Sequence, residues 1–217
     1  ITASVGKDDA TRGNVTQVTA TPKAGSGLSP ISTSSTFEAT CANPVICNLP
    51  TATTDAAGNV THYTWDAVHG GPLTVTAPAP ALGADRPQTR YTYAAQTAYY
   101  KNSSGAIVAA PSSITLPTQV SACATGTSCI GGANEVRTSV GYGATGVANN
   151  LHPSGISQGS GANPTMSTTY MTWTPDGDLE YVDGPLSGSG DTTRYRYDNA
   201  RQLVGVVGPD PDGGGAG

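Results

Sequence analysis

Short runs of the chain alternate polar and apolar side chains with a period of two, the signature of half-buried β-strands. In Arg194-Tyr195-Arg196-Tyr197 the tyrosines fall on one face and the arginines on the other. The turn Asp198-Asn199-Ala200-Arg201 follows, where Asp198 can bond the backbone two residues on, and Gln202 to Val207 supplies a return strand. The same frame of strand, Asp-rich turn and strand recurs at 8–22, 53–80, 170–185 and 190–213, with weaker copies from Arg90 (Tyr91, Tyr93) and Asn134. In two of these turns, Asp55-Ala-Ala-Gly58-Asn59 and Pro175-Asp176-Gly177-Asp178, glycine stands where a positive φ is needed. Each unit therefore reads as a β-hairpin. One hairpin is marginal in water, so neighbours must stack to complete each core. The pattern predicts an all-β chain of stacked hairpins in a continuous, wound antiparallel sheet.

Composition supports this and removes other classes. Of 217 residues 28 are Gly, 16 Pro, 31 Thr and 10 Tyr, but only one is Phe. Thr and Tyr suit pleated strands, whereas this much Gly and Pro breaks helices every few residues. Charged residues make up 12%, about half the usual share. At 36% hydrophobic, the core must be thin and shared between hairpins. The net charge of −5 argues against nucleic acid as a partner. No apolar run is long enough to span a membrane as a helix. The N-terminal residues ITASVGKDD carry no basic region followed by an apolar stretch, so no signal peptide is expected there. Because the ends fall within the repeat pattern, the chain is expected to be a segment of something longer.

Four cysteines form two sets with one spacing, Cys41/Cys47 and Cys123/Cys129. Four Cys allow three connectivities. Local pairing is the expectation, because each set brackets a turn-rich stretch that can bring its ends together. Each bridge would contribute about 2 kcal/mol by closing a loop of about seven residues. A four-Cys zinc site is the alternative, but it prefers shorter spacers. Disulfides would place the chain in an oxidising compartment, secreted or at a cell surface.

The frames Tyr195-x-Tyr197-Asp198-x-x-x-x-Leu203, Asp55-x-x-Gly58-Asn59-Val-Thr and Pro175-Asp176-Gly177-Asp178-Leu179 resemble the YD repeat of the RHS (rearrangement hotspot) family. That family includes bacterial polymorphic toxins, the C component of insecticidal toxin complexes and the teneurins. Trp65-Asp66 replaces Tyr-Asp in one unit, Trp173 stands in the strand before Asp176, Tyr93 is followed by Ala94, and glycine is missing after Asp198. Residues 23–50 and 97–133 read as insertions, each holding a Cys pair. The resemblance implies a bacterial YD-repeat segment over 1–217, part of a β-shell enclosing or presenting a C-terminal effector. Its partners would be the remaining repeats of the parent chain and that effector. On this reading the segment is structural, not an enzyme, and has no cofactor.

Other chemistry is weaker. Gly155-Ile-Ser157-Gln-Gly159 matches a nucleophile elbow, but Pro153 before it and Ser160-Gly-Ala-Asn-Pro164 after it exclude the required helix, so a Gly/Ser loop is expected. Gly141-Tyr-Gly143-Ala-Thr-Gly146 lacks the helix and the acid of a dinucleotide site and reads as a turn. Asp176, Asp178 and Asp183, or Asp210 and Asp212, could ligate Ca²⁺, although Asp beside Gly and Pro is ordinary turn composition. His62, His69 and His152 read as strand or loop positions. Trp65, Trp173, Tyr99 and Tyr100 could stack on sugars, which makes an adhesin for glycans or surface proteins the alternative function. A glycan-acting enzyme comes last, since nothing singles out two carboxylates. Gly208-Pro-Asp-Pro-Asp212-Gly resembles an Asp-Pro autocleavage motif only superficially, and no autoprotease is expected.

Overall fold

The structure, a computed structural model, describes residues 2–8, 12–163 and 166–209. Among these residues every regular element is a β-strand. The strands are β1 (Thr2–Lys7), β2 (Val15–Thr21), β3 (Ile31–Thr36), β4 (Ala52–Thr54), β5 (Val60–Trp65), β6 (Pro72–Thr76) and β7 (Gln88–Lys101). There follow β8 (Ile107–Cys123), β9 (Glu135–Tyr142), β10 (Pro153–Ser160), β11 (Ser167–Trp173), β12 (Leu179–Asp183), β13 (Thr193–Tyr197) and β14 (Leu203–Val207). They form one 14-stranded antiparallel sheet that is not closed, in which strand order equals chain order. Each strand pairs with the next in sequence, through connections that range from tight hairpin turns to the long segment 37–51 between β3 and β4.

The chain divides into two compact units, one of Ile1–Tyr91 with Ala122–Ile130, the other of Thr92–Ser121 with Gly131–Gly217. Register in each follows the predicted period of two. In the second unit Tyr195 lies opposite Val206, with Arg194 opposite Val207 and Arg196 opposite Gly205. In the first, Tyr63 faces Val75 and Thr64 faces Thr74, whose hydroxyls bond at 2.7 Å.

Little is fully buried. Among the described residues the buried apolar side chains are Cys47, Cys123 and Cys129, and the buried polar ones are Ser121, Glu135 and Asn150. Order comes instead from the hydrogen-bonded ladder and from the turns that set its register. Asn150 illustrates this: its Oδ1 accepts from the Tyr99 N–H at 2.8 Å, and its Nδ2 donates to the Thr97 carbonyl at 2.9 Å.

One expectation needs correction. The stretch Gly155-Ile-Ser157-Gln-Gly159 is not a loop but the middle of β10, hydrogen-bonded to β9 on one side and β11 on the other. Gly155 opposes both Gly141 and Tyr170, so the missing side chains leave room for the Tyr170 ring. Sheet partners on both edges hold in extended form a sequence with little strand propensity of its own. Residues 97–133 carry the ends of β7 and β8 and the hairpin between them. Asp210 and Asp212 fall in 210–217 and lie outside the described residues.

Candidate functional site

The feature that recurs is a side-chain clamp at the hairpin turns. Asp55 donates its N–H to the Asn59 carbonyl at 3.0 Å, while its Oδ1 accepts from the N–H groups of Ala57 and Asn59, both at 2.9 Å. Asn59 Nδ2 completes the clamp on Asp55 Oδ2 at 2.9 Å. Asp198 repeats this geometry: Oδ1 accepts from Ala200 and Gln202, both at 2.9 Å, and its own N–H reaches the Gln202 carbonyl at 3.0 Å. In both, the residue before the closing partner has a positive φ, 84° at Gly58 and 62° at Arg201. This is the three-residue hairpin loop in which a left-handed residue closes a tight turn.

Two further copies have clamping side chains that the sequence pattern did not single out. Asn102, between β7 and β8, accepts on Oδ1 from Ser104 and Ala106, both at 3.0 Å, and Gly105 closes the turn at φ 83°. In the turn 174–178 the clamp is Thr174, whose Oγ1 accepts from the Asp178 N–H at 3.0 Å, with Gly177 at φ 87°. Asp176 is an exposed loop residue between them. The signal was present in both: an oxygen-bearing side chain three residues before glycine. Longer loops use the same device. Asp66 Oδ1 accepts from Val68 at 2.8 Å and His69 at 3.0 Å, and Asp8 holds Asn14 through two bonds of 2.9 Å.

These bonds hold several carboxyls below the usual range. The Asn59 amide does so at Asp55, the Val68 and His69 N–H groups at Asp66, and the Arg201 guanidinium at Asp178. Burial pushes the Tyr142 hydroxyl up; it donates to the Pro117 carbonyl at 2.7 Å.

The aromatic residue just before the clamp is also placed by rule. Trp65 and Trp173 each sit at a register shift, and each donates its indole N–H to a proline carbonyl, Pro50 at 2.8 Å and Pro153 at 2.7 Å. Tyr197 occupies the corresponding shift before Asp198. Trp65 stacks on Tyr63 with centroids 5.8 Å apart, and Trp173 on His152 at 4.4 Å. Both indoles are half-buried and committed to packing. Tyr91, Tyr93 and Tyr195 are half-buried strand residues of β7 and β13.

The remaining candidates do not converge. Ser157 exchanges a hydroxyl hydrogen bond with Thr168 at 2.9 Å. His62 is exposed on β5, and His69 pairs with Asp66 at 3.4 Å while its Nδ1 accepts from Gly71. Asp178 pairs with Arg201, and Asp183 accepts from the Thr192 hydroxyl. Among the described residues no three His, Cys, Asp or Glu side chains gather as metal ligands. The cysteines pair locally, Cys41 with Cys47 and Cys123 with Cys129, with Cα separations of 4.9 and 5.8 Å. No helix among the described residues is long and apolar enough to cross a membrane. Compared with known proteins, the chain matches no family model and no curated sequence.

Proposed function

We propose that this chain is a wall segment of a bacterial RHS-type YD-repeat protein, secreted or displayed at a cell surface. It encloses or presents another polypeptide and performs no catalysis of its own. The observation that supports this reading is the coincidence of strand order with chain order, with a similar side-chain clamp recurring at the β4–β5, β7–β8, β11–β12 and β13–β14 turns. Such a sheet lengthens by adding hairpins, each needing only its neighbours, which is how a wall is extended. The two local disulfides suit an oxidising compartment. The commitment of Trp65 and Trp173 to proline carbonyls favours packing over a sugar-stacking role.

Protease protection of the parent chain tests the reading. A polypeptide following the repeats should survive protease at a dose that digests it when expressed alone. Digestion at equal rates in both settings would reject an enclosing wall.

A further inference from the structure

The two disulfides share a spacing but not an environment. At Cys41–Cys47 the neighbouring cation bonds the backbone, with Arg12 Nη1 donating to the Cys47 carbonyl at 3.2 Å. At Cys123–Cys129 the cation lies on the sulfur. Arg90 Nη2 is 3.1 Å from Cys123 Sγ, while Nη1 donates to the Gly126 carbonyl within the bridged loop at 3.2 Å and to Gln88 Oε1 at 2.8 Å. Arg90 on β7 and the segment 122–130 belong to the same compact unit. Cys123 is 2% and Cys129 6% exposed, so attack on this bridge requires its loop to open, whereas Cys41 of the other bridge is exposed. Any preference for Cys123–Cys129 must therefore come from the equilibrium stability of its reduced form and not from access. A second cation, Arg86, borders the loop through its backbone carbonyl near Gly126, but its guanidinium is spent on the carbonyls of Val60, Thr76 and Ala77.

A disulfide sulfur is a weak acceptor, so a guanidinium held against it does little for the oxidised state. Once reduced, the same sulfur can carry a full negative charge, and an adjoining arginine then stabilises the thiolate and lowers its pKa. A sulfur of lower pKa is also the better leaving group in exchange. We propose that Cys123–Cys129 is a thiol-exchange site for a dithiol reductant, with Cys123 as the leaving sulfur, and that it is reduced in preference to Cys41–Cys47.

In the exchange, a thiolate of the dithiol attacks Cys129 Sγ and forms a mixed disulfide. The electron pair of the broken Cys123–Cys129 bond goes to Cys123 Sγ, which stays a thiolate against Arg90. The second thiol of the reductant gives up its proton and attacks the reductant's own sulfur, expelling Cys129, which takes up a proton. Two electrons enter the protein, the dithiol leaves as a disulfide, and one proton of the original two goes to solvent. The site does not depend on the wall reading.

The test equilibrates the whole chain with mixtures of reduced and oxidised dithiothreitol from pH 6 to 8. Samples are trapped with N-ethylmaleimide and the alkylated cysteines mapped by mass. The expected result is that Cys123 and Cys129 are alkylated at a reduced-to-oxidised ratio at least tenfold lower than Cys41 and Cys47 require. Because one proton is released, the equilibrium constant for that bridge should rise toward tenfold per pH unit, while that of Cys41–Cys47 stays flat. Arg90→Lys should keep the order, and Arg90→Gln should remove both the preference and the pH dependence. Earlier reduction of Cys41–Cys47, or a flat pH response at both bridges in the unaltered protein, would overturn the proposal even if Arg90→Gln failed to fold.

Discussion

Arg201 donates from Nε and Nη2 to the two carboxylate oxygens of Asp178, at 3.0 and 2.8 Å, while its own backbone closes a turn at φ 62°. Asp178 is the closing residue of one clamp, and Arg201 is the left-handed residue of another. The equivalent position is glycine at 58, 105 and 177. Here a side chain replaces the glycine and ties the two turns together, a bidentate contact that offsets part of the left-handed backbone cost.

Glycine at the clamp should matter by backbone conformation first and by space second. Gly58 has φ 84° with nothing within 4 Å of an added Cβ, so Gly58→Ala should cost about 1–2 kcal/mol from the left-handed backbone alone. At Gly177 an added Cβ would also lie 3.2 Å from His152 Nε2 and press the imidazole off Trp173. Gly177→Ala should therefore be the costlier change by roughly 1 kcal/mol, read from urea unfolding of each variant. Equal costs would mean that His152 yields freely.

Thr174 supplies one acceptor where Asn102 and Asp55 serve two backbone donors. Thr174→Val should leave the Asp178 N–H without its partner and cost about 1 kcal/mol, with faster hydrogen exchange at that amide. Thr174→Asn should slow the same exchange below that of the unaltered chain. Exchange that is insensitive to both changes would remove the clamp as the element that sets this turn.

Acid should loosen the clamps. The folded-state carboxyls of Asp55, Asp66 and Asp178 are depressed by the Asn59 amide, by backbone N–H groups and by Arg201 respectively. A depressed carboxyl contributes stability that is complete above the unfolded value, near 3.8, and disappears as pH falls through the folded one. The melting temperature should hold from neutrality to about that point and then fall. Asp178→Asn should shrink the fall, and variant and unaltered protein should converge at the acid end.

β14 ends the strand order and exposes Leu203, Val204, Val206 and Val207. An apolar strand at a sheet edge invites pairing with another chain. The isolated chain should self-associate in a concentration-dependent way by sedimentation, and Val204→Lys or Val206→Lys should reduce it. Unchanged association in both variants would place the contact elsewhere.

Sequence alone determined the all-β class and the turns at 55–59, 175–178 and 198–201, because period-two alternation and Asp-to-Gly turn spacing act between residues a few positions apart. Local cysteine pairing was legible for the same reason. Tertiary structure decided what neighbours impose. The Gly- and Ser-rich residues 153–160 become β10 only because β9 and β11 supply hydrogen bonds on both sides. Thr174 rather than Asp176 takes the clamp because the register of β11 against β12 selects which residue faces Asp178. Nor could spacing distinguish two identical Cys pairs. Only the pairing of distant segments brings Arg90 onto Cys123, 33 residues away, and gives the two bridges different chemistry.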